Sequence, residues 1–179
     1  VWALPATVSD HRARPAAMAP LGKLVAFVGL LWAGMSIGIV HDAGVKFSTP
    51  EVPRTKLLRV GMHLFRSYRR VETALVGIVG AAEAQRILQA CRQGHKLECQ
   101  LNKPLLVALA VSTVHSHVFP MPALLAGGDH TIEREEQGLA KDPNEVAGLP
   151  FAHKVVGITE LTKICCLVWG AHVALKLAS

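Results

Sequence analysis

Ionisable residues embedded in apolar stretches are the ones in this sequence whose type and spacing could do chemistry. Glu83 and Arg86 stand three apart in one such stretch, and Glu160 and Lys163 repeat the spacing in another. Glu72 opens the first of these stretches. A lone carboxylate or ammonium facing lipid costs several kcal/mol, so such groups pair with one another or line a proton or ion path. Every one of these carboxylates has a basic neighbour within one helical turn, which favours static pairing along a helix face.

The nine histidines raise a second chemistry, ligation of a haem or of chlorophyll. A bis-histidine haem needs two ligands at matching depth on facing helices. His41 closes the first apolar run, His115 lies near the middle of the third, and His172 lies near the exit of the fourth. At a rise of ~1.5 Å per residue, His41 and His115 differ in depth by roughly 9 Å, and His172 ends near the surface opposite His41. His115 and His117 are two apart and point to different helix faces, so they cannot share a metal. His41, His115 and His172 stay open as single pigment or haem ligands, against the plainer reading of histidines hydrogen-bonded in a bundle or at headgroups. Ser112 and Ser116, near His115, read as helix-packing hydroxyls. With no phosphate loop, metalloprotease motif or kinase motif, the expectation is no enzyme, no metal and no cofactor.

Four apolar runs must position these residues. Leu24 to Val40, LVAFVGLLWAGMSIGIV, carries no charge and is closed off by Lys23 and Asp42. With its caps it has the ~20 residues a helix needs to cross a bilayer. Gly34 and Gly38 within it have the four-residue spacing that lets another helix approach closely in lipid. From Arg54, Leu57, Leu58, Leu64 and Phe65 alternate with Arg59, Arg66, Arg69 and Arg70, a basic amphipathic helix of the kind that lies in an interface. It leads into a weaker second span. Pro104 then opens a third, which Pro120 and Pro122 kink or end. An acidic connection over 129–150 follows, with a short helix from Thr131 to Gln137, and a fourth span runs to the C-terminus. The expected fold is all-α, a four-transmembrane-helix bundle with spans at 24–41, 71–91, 104–126 and 155–175. It forms one membrane domain, 24–179, behind a basic tail, 1–23.

The net charge of +6 and pI of about 9.4 raise the question of nucleic acid. The basic residues are spread over tail and connections without a recognition module, so anionic lipid headgroups and protein partners are the expected contacts. Arg and Lys counts on the two sides of a four-span topology nearly balance and leave orientation open. The basic, Ala- and Pro-rich tail resembles the end of an organellar targeting sequence or an ordinary basic tail. Cys165 and Cys166 read as small buried hydrophobes, and Cys91 and Cys99 flank a polar connection that a disulfide would close.

In order along the chain, Trp32-Ala-Gly-Met35, Leu64-Phe65 with Tyr68, Thr131-Ile-Glu-Arg-Glu-Glu-Gln-Gly-Leu139, Lys141-Asp142-Pro143, and Phe151 with His153 form a recognisable set. Over roughly residues 24–175 the sequence resembles the transmembrane protein 205-like family of small four-helix membrane proteins. That resemblance implies a fold and a membrane location, with no chemistry attached. The chain departs from the pattern in its basic second connection, with Arg92, Lys96 and Lys103, and in the Glu160–Lys163 pair. The functional expectation is a non-catalytic accessory subunit of an organellar membrane complex, of respiratory-chain or ATP synthase type. The mitochondrial inner membrane is preferred over the plastid thylakoid, with bound lipids and other subunits as partners. The alternatives are an ion, proton or small-solute transporter using Glu72, Glu83 and Glu160, and a pigment- or haem-binding subunit.

Overall fold

The computed structural model of the chain describes residues 18–47, 52–94, 101–139 and 143–178. Most of the basic tail, and Lys96 and Cys99 of the second connection, lie outside these residues. The described residues form five helices and no strand: α1 (Met18–Phe47), α2 (Arg54–Arg92), α3 (Lys103–His117), α4 (Met121–Glu136) and α5 (Pro143–Ala178).

Local chemistry sets the helix ends. α2 stops at a turn where Gln93 donates to the Gln89 carbonyl and Gly94 takes a φ of 72°, a left-handed value open to glycine at little cost. Asn102 caps α3, its side-chain oxygen accepting from the Leu105 N–H at 3.3 Å, and Pro104 occupies the first turn, where a missing N–H does no harm. Pro120 has no N–H and its ring crowds the preceding turn, so α3 ends and α4 restarts with Leu124 donating to the Pro120 carbonyl. The sequence therefore places this break correctly. The acidic stretch is not a separate short helix, however, because α4 runs unbroken from Met121 to Glu136.

α1 runs antiparallel to α5, with Gly22 against Ala178 and Gly29 against Leu167 and Ala171. α1 packs on α2 and α5, and α3 packs on the same two helices, with α4 continuing the α3 column. No close backbone approach joins α1 to α3 or α2 to α5 among the described residues, so those pairs are the diagonals of a four-column bundle. The core fills its centre with Trp32, Leu75, Val79, Leu105, Ala108, Leu167 and Ala171. A smaller cluster, Met62, Met121 and Leu125, joins the first half of α2 to α4.

Three stretches are long and apolar enough to cross a membrane: Pro20–Asp42, Lys103–Glu136 and Phe151–Ala178. This corrects the four-span expectation, because α2 does not qualify. Its 71–91 segment carries Glu72, Glu83 and Arg86, and its entry is rich in arginine. Those three charges all point inward, each at most 2% exposed. The outward side, with Ala74, Ile78, Ala81 and Leu88, is uncharged.

The basic entry of α2 also meets acidic side chains of the same chain. It packs beside the acidic end of α4, with Thr55 donating to Glu135 at 2.7 Å, Arg66 donating to Asp129 at 2.6 Å and Arg59 paired to Glu136. Arg59 and Arg66 thus have acidic partners within the protein. These pairs are half-exposed, so each contributes at most about 1 kcal/mol.

Gly34 and Gly38 face outward with nothing within 4 Å of where a Cβ would stand. They make no helix contact among the described residues, and the tight approaches fall instead at Gly22, Gly128 and Gly170. Gly34→Ala and Gly38→Ala are therefore expected to stabilise the isolated chain, each by about 0.5–1 kcal/mol, through helix propensity alone. Denaturation of the detergent-solubilised variants would check this, and a loss of stability would place a contact on that face.

Candidate functional site

The principal polar feature is a layer buried between α1, α2, α3 and α5, centred on Lys163. Its ammonium is 1% exposed and spends all three donors within the protein. It reaches Tyr68 Oη at 2.8 Å, Glu72 Oε1 at 2.5 Å and Glu160 Oε1 at 2.7 Å. It also lies 5.1 Å from the centre of the Tyr68 ring. Tyr68 and Ser36 share a hydrogen bond of 2.7 Å, which brings α1 into the layer. Ser116 of α3 donates to the second oxygen of Glu72. His115 places Nδ1 2.8 Å from Thr159 Oγ1 and Nε2 3.1 Å from Glu160 Oε1.

Each helix contributes for a local reason. Tyr68 and Glu72 are four apart on α2, and Glu160 and Lys163 three apart on α5, so each pair projects from one helix face. α2 and α5 are diagonal columns, too far apart for backbone contact. Lys163 bridges that diagonal with its long side chain, and the four-carbon stem packs in the core while the ammonium finds its partners.

Nearer the other end of the bundle lies a second buried group. Arg86 donates from Nε and Nη2 to the two oxygens of Glu83, at 2.8 and 2.7 Å, the bidentate geometry that strengthens such pairs. The Asn102 N–H donates to Glu83 at 3.3 Å, and the Asn102 amide donates to the Gly170 carbonyl at 2.8 Å. The close approach of Gly170 to Leu105, where an added Cβ would meet backbone at 3.2 Å, makes that last bond possible. Glu72 and Glu83 are eleven positions apart, which separates the two groups by roughly 16 Å along α2. Leu75, Val79 and Ala82 fill that interval on α2, with Trp32 and Leu167 in the same core.

No protein-family model, curated protein or solved structure matches the chain. Its chemistry is read from its own side chains.

The pairs Glu83–Arg86 and Glu160–Lys163 both form as their spacing suggests. Glu72 behaves differently: its cation is Lys163, 91 residues away, rather than a neighbour on its own helix. Arg69 turns outward toward His117, which also meets Thr73 at 3.0 Å. The histidines are not brought together. His115 is buried in the layer, whereas His41 and His172 are exposed. Taking Gly22 and Ala178 as level, His41 and His172 sit about 20 Å apart along the bundle axis. Among the described residues no group of three His, Cys, Asp or Glu side chains is placed to hold a metal ion.

Cys91 is disulfide-bonded, and the expected partner Cys99 lies outside the described residues. Cys165 and Cys166 are free thiols, but Cys165 is exposed rather than buried, because adjacent helical residues point about 100° apart.

Sequence reading passed over Ser36, Thr159 and Asn102, and took Ser116 for a packing hydroxyl. Tyr68 and Glu72 at helical spacing were a usable signal. Nothing local marks Ser36, whose only distinction is the α2 residue across from it.

Proposed function

We propose that the chain is a non-catalytic integral membrane subunit, an accessory or scaffold component of a larger organellar membrane assembly. One observation carries this reading: the charged side chains buried among the described residues are paired with opposite charges from the same chain. Lys163 answers Glu72 and Glu160, and Arg86 answers Glu83. Such groups fix the register of four helices. Breaking any of these pairs would leave an uncompensated buried charge, which holds the chain to one arrangement. Outside the bundle, Phe27, Ile158, Leu161 and Trp169 are each more than 60% exposed, an apolar surface for lipid or neighbouring subunits. The respiratory chain or ATP synthase of the mitochondrial inner membrane is our preferred setting, the thylakoid the alternative. Bound anionic lipids fit the basic excess.

Native gels in gentle detergent test the reading. Co-migration with membrane-complex subunits is expected, and migration only as a free monomer would overturn it. A transporter reading is favoured by a different observation: carboxylates, an ammonium and an imidazole from three helices converge in one buried layer. Its discriminating result is solute or proton flux in proteoliposomes that Glu72→Gln, Glu83→Gln or Glu160→Gln abolishes. The apolar interval between the two polar groups weighs against a continuous path.

A further inference from the structure

We propose that the seam between α2 and α3 binds an anionic phospholipid, with Arg69 and Arg70 holding its phosphate. The inference deepens the membrane reading above and rests on it, but not on membership of a larger assembly.

The arginines of α2 fall into two sets. Arg59, Arg66 and Arg86 are answered by Glu136, Asp129 and Glu83. Among the described residues no carboxylate lies in ion-pair range of Arg69 or Arg70. Arg69 is half-buried and leans across the seam, where Nη2 lies 3.5 Å from His117 Nδ1. Thr73 holds the other ring nitrogen of His117 at 3.0 Å. The remaining donors of the Arg69 fork are free, and Arg70, next on the helix, is exposed.

Depth says which anion is at hand. Tyr68 is level with Ser36 of α1 through their hydrogen bond. Ser36 stands six positions before Asp42, where the first apolar stretch ends, so the two arginines lie roughly 9 Å from that boundary. α1 and α3 both run antiparallel to α5, and α2 runs antiparallel to α3. The N-terminal side of α2 therefore faces the same boundary. Helical side chains lean toward the N-terminus, and long arginines reach outward to headgroups. A guanidinium facing lipid is costly unless it is paired. The phosphate of a lipid is the anion present at that level, and its oxygens match the arginine fork.

The surface leading away from the arginines suits the rest of such a molecule. Below Thr73 and His117 the seam continues with Gly77, Gly80 and Ala84 on α2, and with Leu106, Ala110 and Thr113 on α3. These positions recur at helical spacing on two antiparallel helices, and Gly80 faces Leu109 at 3.9 Å. None carries a charge, and the Thr113 hydroxyl is spent on the Leu109 carbonyl at 2.8 Å. From Thr73 to Ala84 is eleven positions, a track of roughly 16 Å. Two unanswered cations at the head of an apolar track call for an amphiphile with an anionic head.

Native mass spectrometry of the full chain, released from detergent micelles, tests this with phosphatidylglycerol against phosphatidylcholine of the same acyl chains. Phosphatidylglycerol is expected to be retained in preference. Arg69→Gln with Arg70→Gln should weaken its retention roughly 30-fold, at about fivefold per arginine. Arg92→Gln with Lys103→Gln removes the same net charge elsewhere and should leave retention little changed. Gly77→Leu fills the track at a point where no atom lies within 4 Å, and should weaken retention without altering charge. Excess inorganic phosphate should not displace the lipid. Equal retention of the two lipids, equal losses in the two double variants, or displacement by inorganic phosphate would each overturn the proposal. If the arginine variant does not fold, Gly77→Leu decides, and undiminished retention in it overturns the proposal. A chain that inserts into phosphatidylcholine vesicles but shows no preference for phosphatidylglycerol refutes this site alone, whereas a chain that inserts into neither lipid refutes the membrane reading.

Discussion

Lys163→Met is expected to destabilise the folded chain by roughly 3–5 kcal/mol, the range for removing one partner of a buried ionic group. The substitution keeps the length and apolar character of the stem, so the loss is specific to the ammonium. Without it Glu72 keeps one hydroxyl donor, from Ser116, and Glu160 keeps its hydrogen bond with Ser36. The link across the α2–α5 diagonal is also lost, together with the hydrogen bond to Tyr68. Equilibrium unfolding in detergent measures the effect. Its size should shrink as pH is lowered, because protonated carboxyls no longer need a cation. The triple variant Glu72→Gln, Glu160→Gln, Lys163→Met removes both signs of charge together and should recover much of the loss. Buried ion pairs replaced as a set are often nearly neutral in stability, whereas broken pairs are not. A single Lys163→Met variant as stable as the natural chain would show that the ammonium is not held in this layer.

The second large effect is expected at Arg86. Arg86→Met leaves Glu83, 2% exposed, with a single backbone donor at 3.3 Å in place of two charge-assisted bonds. A loss of about 3–5 kcal/mol follows by the same reasoning. This pair differs from the first in being local, since both partners lie on α2. The damage should nevertheless reach α3 and α5, because Asn102 connects Glu83 to the Gly170 carbonyl. Hydrogen exchange would read this as reduced protection at the start of α3 around Leu105 as well as along α2. Pairing Arg86→Met with Glu83→Gln should restore most of the stability, and loss confined to α2 would show that Asn102 does not transmit the effect.

These two clusters also show how far local reading extends. Glu83–Arg86 and Glu160–Lys163 were legible because a spacing of three places both partners on one helix face. The break at Pro120 was legible because proline lacks a donor in any context. Glu72 was misassigned for the opposite reason. Its partner is chosen by which helix lies diagonally across the bundle, and no spacing along the chain encodes that. The Gly34/Gly38 face is likewise not used by any described helix of the same chain. Spacing makes close approach possible, but here α1 turns its other side, with Gly22 and Gly29, toward α5. The acidic neighbour of the basic α2 entry, the end of α4, lies more than sixty residues downstream, so no local spacing reveals it.

By itself the sequence determined that this protein is helical, that long uncharged runs bound it to a membrane environment, and where proline interrupts the third column. Those properties follow from hydropathy and backbone chemistry, which act over a few turns. Only the tertiary structure decided that α2 turns its charges inward, that Lys163 serves two carboxylates on different helices, and that His115 lies beside Glu160 in the same layer. Which side chains meet depends on helix rotation and on which columns are diagonal. Both are set by packing of the whole bundle.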